Sequence, residues 1–182
     1  MTTTIFSHTF TSNNPGNANT STRVAVPITG ASLGQLRFTF QAGSTAGWKV
    51  VHASCGVAST SPATTATPLE ITFSGASGWN LAANGVTPAS DFITLAATSS
   101  NLLVLTFDDD TTGNGDGGAI AFDAGQTGVL SYFGAVPGYQ NSSGSGFTAL
   151  PTGDLFGVTL IETQAAPNPP ILLPTRRIFV RR

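Results

Sequence analysis

The chain has 182 residues, a formal net charge of −2 and only 9 % charged side chains, against about 25 % in an average soluble protein. Its length predicts one domain, and twelve Phe set among short blocks of Val, Leu and Ile exclude a disordered polymer. No run of about eighteen apolar residues offers a membrane-spanning helix, and the single cysteine, Cys55, excludes an intrachain disulfide and reads as a small buried apolar residue.

From the N-terminus, Met1 to His8 shows no basic region, long apolar stretch or cleavage site, so cytoplasmic synthesis without a secretory signal is expected. Apolar residues then alternate with period two and almost never with a helical period, which predicts strands. Residues 22–29 put Val24, Val26 and Ile28 on an inner face and Arg23, Ala25 and Pro27 outside. Residues 34–41 put Leu36, Phe38 and Phe40 on one face and Arg37, Thr39 and Gln41 on the other. Further strands are predicted over 48–58, 69–74, 91–96, 102–108, 119–123, 129–133 and 155–163. Clusters of Gly, Pro, Asn, Ser and Thr at 13–17, 43–44, 60–68, 75–78, 84–85, 111–118 and 141–146 supply the turns. No fixed repeat points to a β-helix. The expected fold is all-β, an antiparallel two-sheet β-sandwich, jelly-roll-like, of about eight to ten strands, occupying residues 1–166. Residues 59–68 read as a crossover between sheets, and 134–151 as an exposed binding loop.

The last sixteen residues are of another kind. Residues 1–166 carry Arg23, Arg37 and Lys49 against nine carboxylates, a balance of −6, whereas 167–182 carry Arg176, Arg177, Arg181 and Arg182, a balance of +4. Pro167, Pro169, Pro170 and Pro174 deny this segment a helix and predict an extended arm. Its apolar residues Ile171, Leu172, Leu173, Ile178, Phe179 and Val180 need a surface to lie on. A strand added to a neighbour's sheet edge, with arginines paired to carboxylates there, meets that need. The four arginines also suit phosphates, but a pI near 5.4 opposes a dedicated nucleic-acid binder. Membrane docking would want more basic charge and a strongly amphipathic helix.

The order Thr67-Pro68-Leu69-Glu70-Ile71-Thr72-Phe73-Ser74-Gly75, then Gly85, then Ala89-Ser90-Asp91-Phe92-Ile93, then Asn101-Leu102-Leu103-Val104-Leu105-Thr106-Phe107 resembles the jelly-roll accessory domains that accompany SGNH-type esterases. The resemblance covers roughly residues 22–122 and implies a carbohydrate-binding-like sandwich. The catalytic half of such esterases is missing: no Gly-Asp-Ser block and no downstream Asp-x-x-His pair occurs. In overall style the chain also resembles accessory structural proteins of tailed phages and gene-transfer particles, small Thr/Gly/Ala-rich sandwiches with a basic terminal arm.

The acidic run from Asp108 to Gly118 offers oxygen ligands at Asp108, Asp110, Asn114 and Asp116, a set suited to Ca²⁺. The EF-hand spacing fails, because the twelfth position from Asp108 is Ala119, and solvated carboxylates that discourage edge pairing are the alternative. His8, His52 and Cys55 are too few and too scattered for zinc, no Gly-x-Ser-x-Gly elbow is present, and no partner residues support glycosidase chemistry for the carboxylates. Trp48 and Tyr132 read as core. Trp79 with Asn80, and Tyr139 with Gln140 and Asn141, lie beside turn glycines and form the expected glycan-stacking positions. These readings converge on a non-enzymatic virion structural protein that docks on other virion subunits or on copies of itself. The alternative is a carbohydrate-binding module for a cell-surface or capsular glycan.

Overall fold

The computed structural model describes residues 1–14, 20–28, 34–95, 102–109 and 119–165. Predicted period-two alternation is realised as strand, and the described residues contain no helix. In chain order the strands are β1 (Thr3–Ser7), β2 (Ser12–Asn14), β3 (Thr20–Pro27), β4 (Gln35–Phe40), β5 (Trp48–Val57), β6 (Leu69–Glu70), β7 (Thr72–Phe73) and β8 (Ala76–Ser77). They continue with β9 (Trp79–Leu81), β10 (Ile93–Thr94), β11 (Leu102–Asp109), β12 (Ile120–Asp123), β13 (Leu130–Ala135), β14 (Thr148–Ala149), β15 (Leu155–Phe156) and β16 (Val158–Gln164). Every pairing is antiparallel. One sheet runs β1-β16-β4-β10. The larger runs β14-β13-β3-β11-β5-β6, with β9 also on β5. A small β15-β12-β2 sheet and the β7-β8 ribbon complete the set. The antiparallel β-sandwich expected from the sequence is therefore present.

The core lies between the two main sheets. In the larger sheet, Val24, Leu105 and Cys55 stand in one cross-strand row and Val26, Leu103 and Val57 in another. From the smaller sheet, Leu36, Phe38 and Phe40 of β4 and Val158 and Ile161 of β16 face them. Phe40 meets Phe107 edge-on at 5.3 Å between ring centroids, tying the layers together. Gly157 breaks β15 from β16 with φ +62°, and a Cβ there would run into the Trp48 indole, so the turn needs glycine twice over.

Half of the sixteen strands among the described residues are four residues or longer, and all of these but β1 fall where alternation foresaw a strand, as do the short β6, β7, β10 and β15. The shorter β2, β8, β9 and β14 carry too few residues to show a period. The expected crossover at 59–68 is corrected: the chain returns to the same sheet, where β6 pairs with β5. Backbone bonds fold it back early, Thr65 N–H reaching the Val57 carbonyl at 2.8 Å, and the methyl of Thr64 fills the space above Gly56. The arm at 167–182 lies outside the described residues.

Candidate functional site

Strand registers line up a row of side chains across the outer face of the larger sheet: Tyr132, Arg23, Thr106, Ser54 and Glu70. The next row reads Gly134, Ser21, Asp108 and His52. Such a polar face would ordinarily meet water. Here Ser21, Arg23, Ser54 and Thr106 are fully buried and Asp108 nearly so, because residues 136–147 and 60–66 close over them. Tyr132, expected in the core, is buried in this outer layer beside Arg23, since residues directly opposite across strands share a face.

Arg23 holds that cover down. Its Nε donates to Thr106 Oγ1 at 2.9 Å, Nη1 to the Pro62 carbonyl at 2.9 Å, and Nη2 to the carbonyls of Gly138 at 3.1 Å and Asn141 at 2.7 Å. The Phe147 ring caps the guanidinium at 4.1 Å. Burial pushes its pKa down to about 10 while the charge of Asp108 opposes that fall, so it remains cationic at neutral pH. Asp108 accepts the Ser21 hydroxyl at 2.6 Å, the Gly138 N–H at 3.0 Å and the Tyr139 N–H at 3.3 Å. Gly138 thus donates to the carboxylate and accepts from the guanidinium. A Cβ on it would collide with Ser21 Oγ and stand 2.8 Å from Phe147 Cζ, so only glycine approaches closely enough.

The loop at 134–151, expected as an exposed binding loop, is therefore a pinned one. Tyr139 is half-buried and stacks on His52 with centroids 4.4 Å apart and planes 9° from parallel. Its carbonyl accepts the Ser54 hydroxyl, and His52 Nδ1 contacts Glu70 Oε1 at 2.7 Å. The Asn141 amide is consumed inside the loop by Ser143, Gly144 and Ser145, while the neighbouring Gln140 is exposed. Trp79 does not stand free beside its glycines. It pairs within β9 against β5 and stacks on Phe40 at 4.7 Å and 12°, with Trp48, Phe73 and Phe107 at its edges. Asn80 is exposed opposite Lys49. The two expected stacking rings thus have core and loop partners, and nothing brings them into one platform.

Of the expected calcium ligands, Asp108 lies within β11 and is committed to the loop contacts above. Asp110, Asn114 and Asp116 lie outside the described residues, among which no three His, Cys, Asp or Glu side chains gather as a metal site. The neighbouring Asp109, which sequence reading passed over, points to the inner face and is fully buried. Trp48 Nε1 donates to its Oδ1 at 2.9 Å. Burial raises its pKa to about 7, the Trp48 bond working against burial and the nearby Asp108 charge with it. Burial likewise pushes the Cys55 thiol far up, so it is an inert core group.

A second polar node sits near the N-terminus. Asp123 receives His8 Nε2 at 2.7 Å, the Thr11 hydroxyl at 2.6 Å and N–H at 3.2 Å, and the Ser12 hydroxyl at 3.2 Å. Burial pulls its pKa upward, but these bonds together hold it below the usual carboxylate range. Beside it lies a cleft of about 80 Å³ walled by residues 10–13, 41, 44, 84 and 121. Another, of about 100 Å³, opens between Leu130, Tyr132, Leu150 and Pro151. No protein-family model matches the chain, and no curated protein matches it.

Proposed function

We propose that the chain is a non-enzymatic structural subunit of a virus-like particle, a β-sandwich decoration, spike or tail accessory protein that docks through residues 167–182. One observation supports this reading: the buried ions Arg23, Asp108 and Asp123 bond mostly to loops and the N-terminal segment of their own chain, each with one further bond to a strand side chain. Such groups fix the shape of a surface rather than perform chemistry on a ligand. The charge split between residues 1–166 and 167–182 supports docking of a basic arm on an acidic neighbour.

Light scattering coupled to size exclusion tests it on the full chain and on a chain ending at Ala166. A defined oligomer that becomes a monomer on truncation is the expected result. Two identical monomers would remove the arm as a self-assembly element and leave docking on a different subunit as the form of the proposal to test.

A further inference from the structure

The geometry points to a binding site for the edge of a neutral sugar, a pyranose, in the cleft beside Phe10 and away from both aromatic positions that the sequence singled out. Phe10, Ser12, Asn13, Gln41, Ser44 and Asn84 line it. No lysine, arginine or histidine is among the lining residues, so phosphate or carboxylate ligands gain nothing there. No acid is among the lining residues either, and Asp123, which bonds the lining residues Thr11 and Ser12, is turned to them and to His8. Hydroxyls and amides remain, the groups that pair with vicinal sugar hydroxyls, since each can donate and accept.

Two of those amides are open. Asn13 is used, its Nδ2 donating to Ser44 Oγ at 2.8 Å while its Oδ1 accepts the Ser44 N–H at 2.6 Å. The side-chain amides of Gln41 and Asn84 take no hydrogen-bond partner among the described residues, and both border the cleft. Phe10 packs on the core with one side and on His8 edge-on at 4.8 Å, so it is fixed in place and the surface the cleft offers is mainly polar. The frame is rigid as well. Gly43 N–H reaches the Ala119 carbonyl at 2.6 Å, and Asn84 N–H reaches the Gly43 carbonyl at 2.8 Å, with Asn84 in the left-handed region at φ 59°. Preformed walls reduce the ordering cost of binding. A space of about 80 Å³ takes a few water-sized groups, enough for the hydroxyls along one ring edge and not for a buried sugar.

The test is a ¹H–¹⁵N correlation titration of the full chain with D-glucose, D-galactose, D-mannose and N-acetyl-D-glucosamine separately, with inorganic phosphate as the charged control. At least one sugar is expected to shift the amides of Asn13, Gln41, Ser44 and Asn84 with roughly millimolar affinity, while phosphate shifts none. Gln41→Ala and Asn84→Gly, glycine being the residue that keeps the left-handed backbone at 84, should each weaken that sugar by about tenfold, about 1.4 kcal/mol, with unchanged spectra elsewhere. Sugar-induced shifts that are absent, that map to another surface, or that survive in the double variant overturn the inference. Since the readout is a local spectrum and not an assembly state, it is decided independently of the arm.

Discussion

The two faces of the larger sheet are both buried, by opposite means. On the inner face Phe107 meets the rings of Phe40 and Trp79, and Val24, Leu105 and Cys55 pack in the same apolar core, contacts with little direction. On the outer face Arg23, Thr106, Asp108 and Ser54 meet loops through hydrogen bonds of fixed length and angle. Apolar packing tolerates small rearrangement as long as volume is kept. A buried ion does not, because each lost bond leaves a charge without solvent or partner. The inner face therefore sets how stable the sandwich is, and the outer face sets where residues 136–147 sit.

Removing the largest group from each face breaks the comparison most directly. Phe107→Ala should destabilise by about 3–5 kcal/mol through the cavity it leaves. Arg23→Met should do so by about 3–5 kcal/mol through the Asp108 carboxylate and the loop carbonyls it abandons. Urea titrations measure both. The distinguishing result is repair: adding Asp108→Asn to Arg23→Met should restore part of the loss, whereas added to Phe107→Ala it should deepen it. An Arg23→Met variant as stable as the parent, with unaltered hydrogen exchange at 136–147, would show that the outer layer contributes only packing.

The inner face was legible because alternation reports it: Leu36-Phe38-Phe40 and Val24-Val26-Ile28 are placed where the pattern puts them. Arg23 was correctly assigned to the other side, but a pattern of period two says only which way a residue faces, not what arrives to cover it. The partners of Arg23 are backbone carbonyls of Pro62, Gly138 and Asn141, which carry no residue signature. One signal was available: Arg23 is one of three cations in residues 1–166 and sits mid-strand between the small residues Ser21 and Ala25. Asp108 misled for the opposite reason, since three consecutive aspartates look like a solvated loop while the strand runs through the first two. Trp79 misled because its flanking glycines serve strand approach: a Cβ on Gly78 would strike the Val50 and Val51 carbonyls. The open amides at Gln41 and Asn84 were invisible, since four distant segments build that cleft.

Asp108 and Asp109 carry the contrast of faces into adjacent residues, and pH sharpens it. Asp109, raised to about 7 by burial, binds a proton in the folded chain that the unfolded chain has lost above the usual carboxylate range. Its contribution to stability is thus complete below about pH 4 and is lost as pH rises through about 7. Asp91, held low by the Gly75 N–H and the Thr72 hydroxyl, acts in the other direction, as does Glu162, held low by Arg37. Their contributions fade as pH falls through the carboxylate range. Maximum stability is expected in mildly acid solution, with a loss of about 2–3 kcal/mol between pH 5 and pH 8 from Asp109. Asp109→Asn keeps an acceptor for Trp48 and should flatten that limb of the Tm–pH curve. An unchanged limb would assign the titration to another group.

The smallest effect separates the faces most finely, because Ser54 and Cys55 are consecutive on β5 and look in opposite directions. Ser54 donates to the Tyr139 carbonyl from a fully buried position. Ser54→Ala should cost about 1 kcal/mol, the usual net value of one neutral hydrogen bond. The change should be local, with faster exchange near Tyr139 and a looser stack on His52, while the core amides of β11 keep their protection. Cys55→Ala removes a core atom instead, and should lower protection evenly across β3, β5 and β11 without singling out the loop. If both variants loosen the same amides, then the outer hydrogen bonds and the inner packing belong to one cooperative unit, and the loop position is set by the core after all.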